Sequence, residues 1–83
     1  MAYIDNFGVE FSDDRTVLTY CPVDIQGTYV IPDGVEIIDD EAFEYCDSLI
    51  GIILPDSIKS IGENAFYGCS SIISIAIPDS VNS

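Results

Sequence analysis

The chain has 83 residues, 48% of them hydrophobic, and a formal net charge of -13 from 15 acidic and 2 basic side chains. The hydrophobic share excludes a disordered chain, and no apolar run approaches the ~20 residues that a bilayer crossing needs. Two cations against 15 acids would repel phosphate, so nucleic acid and anionic membranes are poor partners and membrane insertion is not expected.

The start, MAYIDNFGVEF, has neither a basic nor an apolar signal region, so no signal peptide is visible in this chain. Gly8 to Phe11 alternates, with Val9 and Phe11 on one face, and Thr16 to Tyr20 is rich in β-forming residues. Ser12-Asp13-Asp14-Arg15 between them is turn-forming, because short polar side chains bond back to the local backbone. An antiparallel hairpin is therefore expected, followed by a loop through Pro22, Asp24 and Gly27. Thr28 to Ile31 is the next strand, with Tyr29 and Ile31 facing one way and Thr28 and Val30 the other.

From there one 23-residue phrase is spoken twice and begun again: residues 32–54, 55–77 and 78–83, with Pro32, Pro55 and Pro78 in register. Nine of 23 positions are identical between the first two units, including Ala42/Ala65, Phe43/Phe66, Cys46/Cys69 and Ile52/Ile75. A unit of this length buries its apolar stripe only by stacking on a neighbour. Each unit divides into three. Val35–Ile38 and Ile58–Ile61 read as short extended pieces. Asp40–Cys46 and Glu63–Cys69 put Ala, Phe and Cys at i, i+1 and i+4, the spacing of one side of a short helix, with Asp39 as N-cap and Gly62 as a weaker one. Leu49-x-x-Ile52-x-Leu54 and Ile72-x-x-Ile75-x-Ile77 read as a turn leading into a strand. Stacking sets Phe43 over Phe66, Leu49 over Ile72 and Ile52 over Ile75, and on this reading Phe66→Ala costs roughly 3–5 kcal/mol.

The Cys-x-x-Leu-x-x-Ile-x-Leu/Ile-Pro pattern resembles the leucine-rich repeat. The unit SIKSIGENAFYGCSSIISIAIPDSV is similar in particular to the BspA-like class named for bacterial surface antigens. The resemblance is strong over residues 28–83 and weaker over Phe7 to Gly27, which looks like a divergent leading coil. It implies an α/β fold: a short right-handed solenoid with short parallel strands on one face, short helical turns on the other, and an N-terminal β-hairpin cap over residues 1–27, the whole forming one domain. It also implies a non-enzymatic protein-binding or adhesion module of a bacterial surface protein, at the cell surface or secreted. Host or extracellular-matrix proteins are the partners that such repeats suggest.

On that sheet the outward positions by alignment are Thr28, Gly51 and Ser74 in one column and Val30, Ile53 and Ala76 in the next. They are small or apolar and form the candidate binding face. The alternative is a structural or self-associating segment. The chain stops six residues into its third unit, so Ile72, Ile75 and Ile77 form a candidate edge for another copy or for further repeats. Cys46 and Cys69 fall within disulfide range of each other, but inward cysteines serve as small hydrophobes, so free thiols are favoured, with Cys21 left over. The chain has no His and no Cys-x-x-Cys, so zinc is not expected. Asp33, Asp56 and Asp79 line up on the Pro-Asp turns, where calcium is conceivable but turn chemistry is the simpler account. The acids Asp39, Asp40, Glu41, Glu44 and Asp47 read as a solvated face, and neither a catalytic base nor a phosphate loop is present.

Overall fold

A computed structural model describes residues 2–81. The hairpin forms where short polar side chains close the turn: Asp14 accepts hydrogen bonds from the Ser12 hydroxyl and from the Thr16 hydroxyl and N–H. Strand β2 (Glu10–Phe11) pairs antiparallel with β3 (Val17–Tyr20) through a bulge, at which the Thr19 hydroxyl donates to the Glu10 carbonyl. A two-residue strand, β1 (Tyr3–Ile4), extends the hairpin on its outer side.

Beyond the hairpin, the 23-residue period becomes two parallel sheets. In the first, β3 pairs with β5 (Ile37–Ile38), and β5 with β7 (Ser60–Ile61). In the second, β4 (Gly27–Val30), β6 (Leu49–Ile53) and β8 (Ser74–Ala76) pair in that order. Because β3 belongs both to the hairpin and to the parallel stack, the lead-in and the repeats share one sheet. They also share one core, which runs from Val9 and Phe11 through Leu18, Ile38 and Phe43 to Ile58 and Ala65.

Val35 and Ile58 precede β5 and β7 and close turns instead of pairing, their N–H groups returning to the carbonyls of Pro32 and Pro55. The same closure recurs from Ile25 to Pro22 and from Val81 to Pro78. Each proline holds its φ near the value a turn needs, and the apolar residue three places on drops into the core. Val35 and Ile58 are accordingly almost completely buried.

The expected helical turns are absent: the described residues contain no helix. Residues 40–46 and 63–69 form successive tight turns, Ala42, Glu44 and Cys46 donating to the carbonyls of Asp39, Glu41 and Phe43. The intervening N–H groups of Glu41, Phe43 and Tyr45 donate to Glu63, Ala65 and Tyr67 of the next coil. A helix would aim its N–H groups along its own axis, toward carbonyls four residues back. Here alternate peptides turn toward the neighbouring coil, which places Glu41, Tyr45, Asn64 and Gly68 at φ of 57° to 76°. Ala, Phe and Cys still reach the core, because the turns repeat the inward direction at the same spacing. Asp39 consequently caps no helix; its carboxylate accepts the N–H of Asp40. Gly62 is a spacing residue and not a cap. A Cβ there would meet the Asp40 carboxylate and come within 2.7 Å of the Asp39 carbonyl carbon.

Candidate functional site

Pairing in the second sheet puts Thr28 beside Gly51 and Gly51 beside Ser74, then Val30 beside Ile53 and Ile53 beside Ala76. These are the two aligned columns, formed because parallel strands one repeat apart set equivalent residues side by side. Between them run Tyr29, Ile52 and Ile75, which point into the core, Tyr29 and Ile52 being fully buried. Val30 is 59% exposed and Ile53 51% exposed, so burial of the alternate residues leaves an apolar strip in water. Gly51 is buried although it lies on the outer face, because the Thr28 hydroxyl crosses in front of it; an added Cβ would stand 3.3 Å from that oxygen. The strip is thus nearly flat at its first column and ridged at its second.

At the far end, Ile72 and Ile75 are partly buried against the core and Ile77 is 53% exposed. Ile73, which the alignment matched to Ile50 but did not mark as a surface residue, is 84% exposed, the most of the large hydrophobic side chains. Its N–H donates to the Ile50 carbonyl at 2.9 Å. In the last coil the N–H groups of Asn64, Phe66 and Gly68, equivalent to those of Glu41, Phe43 and Tyr45, have no further coil to donate to among the described residues.

Three arrangements escaped the sequence. Tyr45 and Tyr67 stack edge to face on the turn wall, centroids 5.6 Å apart and both about half exposed. The neighbouring Tyr67 pushes the Tyr45 phenol up from its ordinary value. A cleft of about 180 Å³ lies between hairpin and first turn, lined by Tyr3, Asp5, Phe11, Arg15, Pro32, Asp33 and Val35, with the Arg15 guanidinium 3.7 Å above the Tyr3 ring. Finally, Cys21, unpaired as expected, is nevertheless in contact with the column. The Cys46 thiol donates toward the Cys21 and Pro22 carbonyls at 3.8 and 3.5 Å, and its sulfur interacts with that of Cys21, so Cys21 heads the Cys46–Cys69 column. The signal for it was a Cys-Pro pair 25 residues before Cys46, two more than the repeat period.

All three cysteines are free thiols. Among the described residues no group of His, Cys, Asp or Glu is arranged to hold a metal ion. Asp33, Asp56 and Asp79 are exposed on their turns.

Coils that each contribute a parallel strand, a turn wall and a Pro-closed corner define a stacked-repeat protein of the leucine-rich-repeat kind. Residues 20–83 match the family described as BspA type Leucine rich repeat region (6 copies), and the chain belongs to that family. Among solved structures it resembles the pneumococcal vaccine antigen PcpA at a TM-score of 0.90 and 26% identity, covering 96% of this chain and 20% of that one. It also resembles the Treponema pallidum leucine-rich repeat protein TpLRR at a TM-score of 0.71 and 32% identity, covering 90% of this chain and 38% of that one. The chain therefore spans well under half the length of either. No curated protein matches the sequence. Among the described residues, no helix is long and apolar enough to cross a membrane.

Proposed function

We propose that the chain is a non-enzymatic protein-binding module whose contact surface is the outer face of β4, β6 and β8, through Thr28, Val30, Gly51, Ile53, Ser74 and Ala76. The observation that carries this is the half-exposed pair Val30 and Ile53, side by side on rigid paired strands with no charged residue in either column. Apolar side chains held at fixed spacing on a sheet are preorganised for a partner, because little conformational entropy remains to be lost on contact. An adhesive role toward host or extracellular-matrix proteins is the form the family suggests, and the charge of -13 directs the choice away from nucleic acid.

The test is binding to a panel of immobilised matrix proteins by surface plasmon resonance, comparing wild type with Ile53→Asp. Loss of about tenfold or more in affinity with an unchanged circular dichroism spectrum supports the face, since central contacts dominate binding energy. Equal binding by both proteins would move the contact elsewhere.

A second reading, self-association through Ile72, Ile75 and Ile77, is favoured by the outer edge of β8, which pairs with no further strand among the described residues, and by the half-exposed Ile77. An unpaired strand edge with apolar neighbours is a template for another chain. Sedimentation over a hundredfold range of concentration discriminates: a mass that rises with concentration in wild type, and not in Ile77→Asp, supports it.

A further inference from the structure

On the turn wall one tyrosine sits where the backbone suits glycine. Tyr45 has a φ of 61°, in the left-handed region, and the residue in the same place one coil on is Gly68, at 76°. A tyrosine there is strained, and burial of its ring offsets the strain little, because Tyr45 is 53% exposed. The exposure does not come from a missing neighbour, since the next coil is packed against the residue. The Tyr45 N–H donates to the Tyr67 carbonyl at 2.7 Å, and the Tyr67 ring meets its own edge to face at 5.6 Å. The Tyr45 ring also lies across Gly68, where an added Cβ would strike it. Tyr45 is thus fixed in place and still half in water. Strain kept for an exposed ring points to a task outside the core.

The surroundings of that ring are anionic. The Asp47 N–H donates to the Tyr45 carbonyl at 2.8 Å, which holds this exposed acid beside the tyrosine. Tyr67 first, then burial and the carboxylates of Glu44 and Asp47, push the Tyr45 phenol up, so both acids are felt at the ring. Neither basic side chain of the chain answers them: Lys59 lies 3.6 Å from Glu36, and the Arg15 guanidinium covers Tyr3.

We propose that Tyr45, with Glu44 and Asp47, is a docking point for an arginine-bearing basic segment of a partner protein, with Tyr67 as its buttress. An aromatic ring attracts a guanidinium laid on its face, and a carboxylate at the rim accepts the N–H fork. The chain itself shows the first half of this pairing, in Arg15 over Tyr3 at 3.7 Å. The net charge of -13 draws such a segment in. The site shares no residue with the outer face of β4, β6 and β8, so binding there and binding here succeed or fail independently.

The test is fluorescence anisotropy of the whole chain with a fluorescein-labelled peptide of alternating glycine and arginine, at ~50 and ~300 mM salt. Binding should weaken as salt rises. Tyr45→Gly removes the ring, keeps the charge and suits the backbone; it should lose about fivefold or more in affinity, whereas Tyr45→Phe should keep it. Glu44→Gln/Asp47→Asn should lose more than Asp33→Asn/Asp56→Asn, which changes the charge equally but on the Pro-Asp turns. A peptide with lysine for arginine should bind more weakly, since an ammonium cannot lie flat on a ring while forking to a carboxylate. No binding of the arginine peptide, wild-type affinity in Tyr45→Gly, equal losses from the two double variants, or equal binding of the two peptides would each overturn the proposal. Should Tyr45→Gly unfold by circular dichroism, the comparison of the double variants decides.

Discussion

The Tyr29 phenol donates a 2.6 Å hydrogen bond to the Asp5 carboxylate, fastening the lead-in segment to a strand of the second sheet 24 residues later. The other oxygen of Asp5 accepts the N–H groups of Phe7 and Val9, and Phe7 meets the Tyr29 ring edge to face at 5.8 Å. One carboxylate therefore organises the cap and anchors it. Asp5→Ala should cost about 2–3 kcal/mol and Tyr29→Phe about 1–2 kcal/mol, with the double variant costing less than their sum. Urea melts of the four proteins measure this.

The same contact predicts an alkaline limb. Burial, and then the hydrogen bond to Asp5, raise the Tyr29 phenol well above the tyrosine value of about 10. A folded value above the unfolded one stabilises the fold fully below pH ~10, and that contribution is lost as pH rises through the folded value. The urea midpoint should fall above about pH 10 in wild type, and Tyr29→Phe should flatten the fall.

Glu41 separates a turn wall from a helix by the sign of one substitution. At φ of 60° a glutamate is strained, so Glu41→Gly should leave stability unchanged or raise it by about 0.5–1 kcal/mol. Were residues 40–46 helical, the same change would cost about 1 kcal/mol. A clear loss in the thermal melt would return the helix.

Gly62→Ala should destabilise by about 1–3 kcal/mol, because the new methyl group meets backbone and the Asp40 carboxylate, and Asp40 also accepts the Glu63 N–H across the coils. Removing that carboxylate in Gly62→Ala/Asp40→Ala should recover little, since the Asp39 backbone still blocks the site. Recovery to wild-type stability would show that only the side chain was in the way.

The two stacked phenyl rings are unequal. Phe43 is fully buried, whereas Phe66 is partly buried with no coil beyond it among the described residues. Phe43→Ala should therefore cost about 3–5 kcal/mol and Phe66→Ala distinctly less. This revises the expectation for Phe66 drawn from the repeat alone, and equal losses in denaturant melts would refute the asymmetry.

The strands and their columns were legible because a 23-residue period and a two-residue alternation act together: Tyr29 in, Thr28 and Val30 out, and the same one unit on. The wall was misread for a physical reason. Ala42, Phe43 and Cys46 satisfy the spacing of a helical face and of consecutive turns alike, and only left-handed backbone tells them apart. Gly68 was the one glycine at such a position in the two walls, while Glu41, Tyr45 and Asn64 gave little compositional signal. Strand β1 went unread because two residues carry no period. Cys21 was passed over because the leading coil is off the repeat length.

The wall has a sense of direction. Cys21 donates to Ala42, then Glu41, Phe43 and Tyr45 donate to Glu63, Ala65 and Tyr67, always from the earlier coil to the later. Their peptide dipoles add along the stack as they do in a helix, with the positive end at the last coil. If two copies met last coil to last coil about a two-fold axis, the wall would set donors against donors there. Among the described residues, the polarity of the wall thus disfavours a two-fold contact made through its last coil.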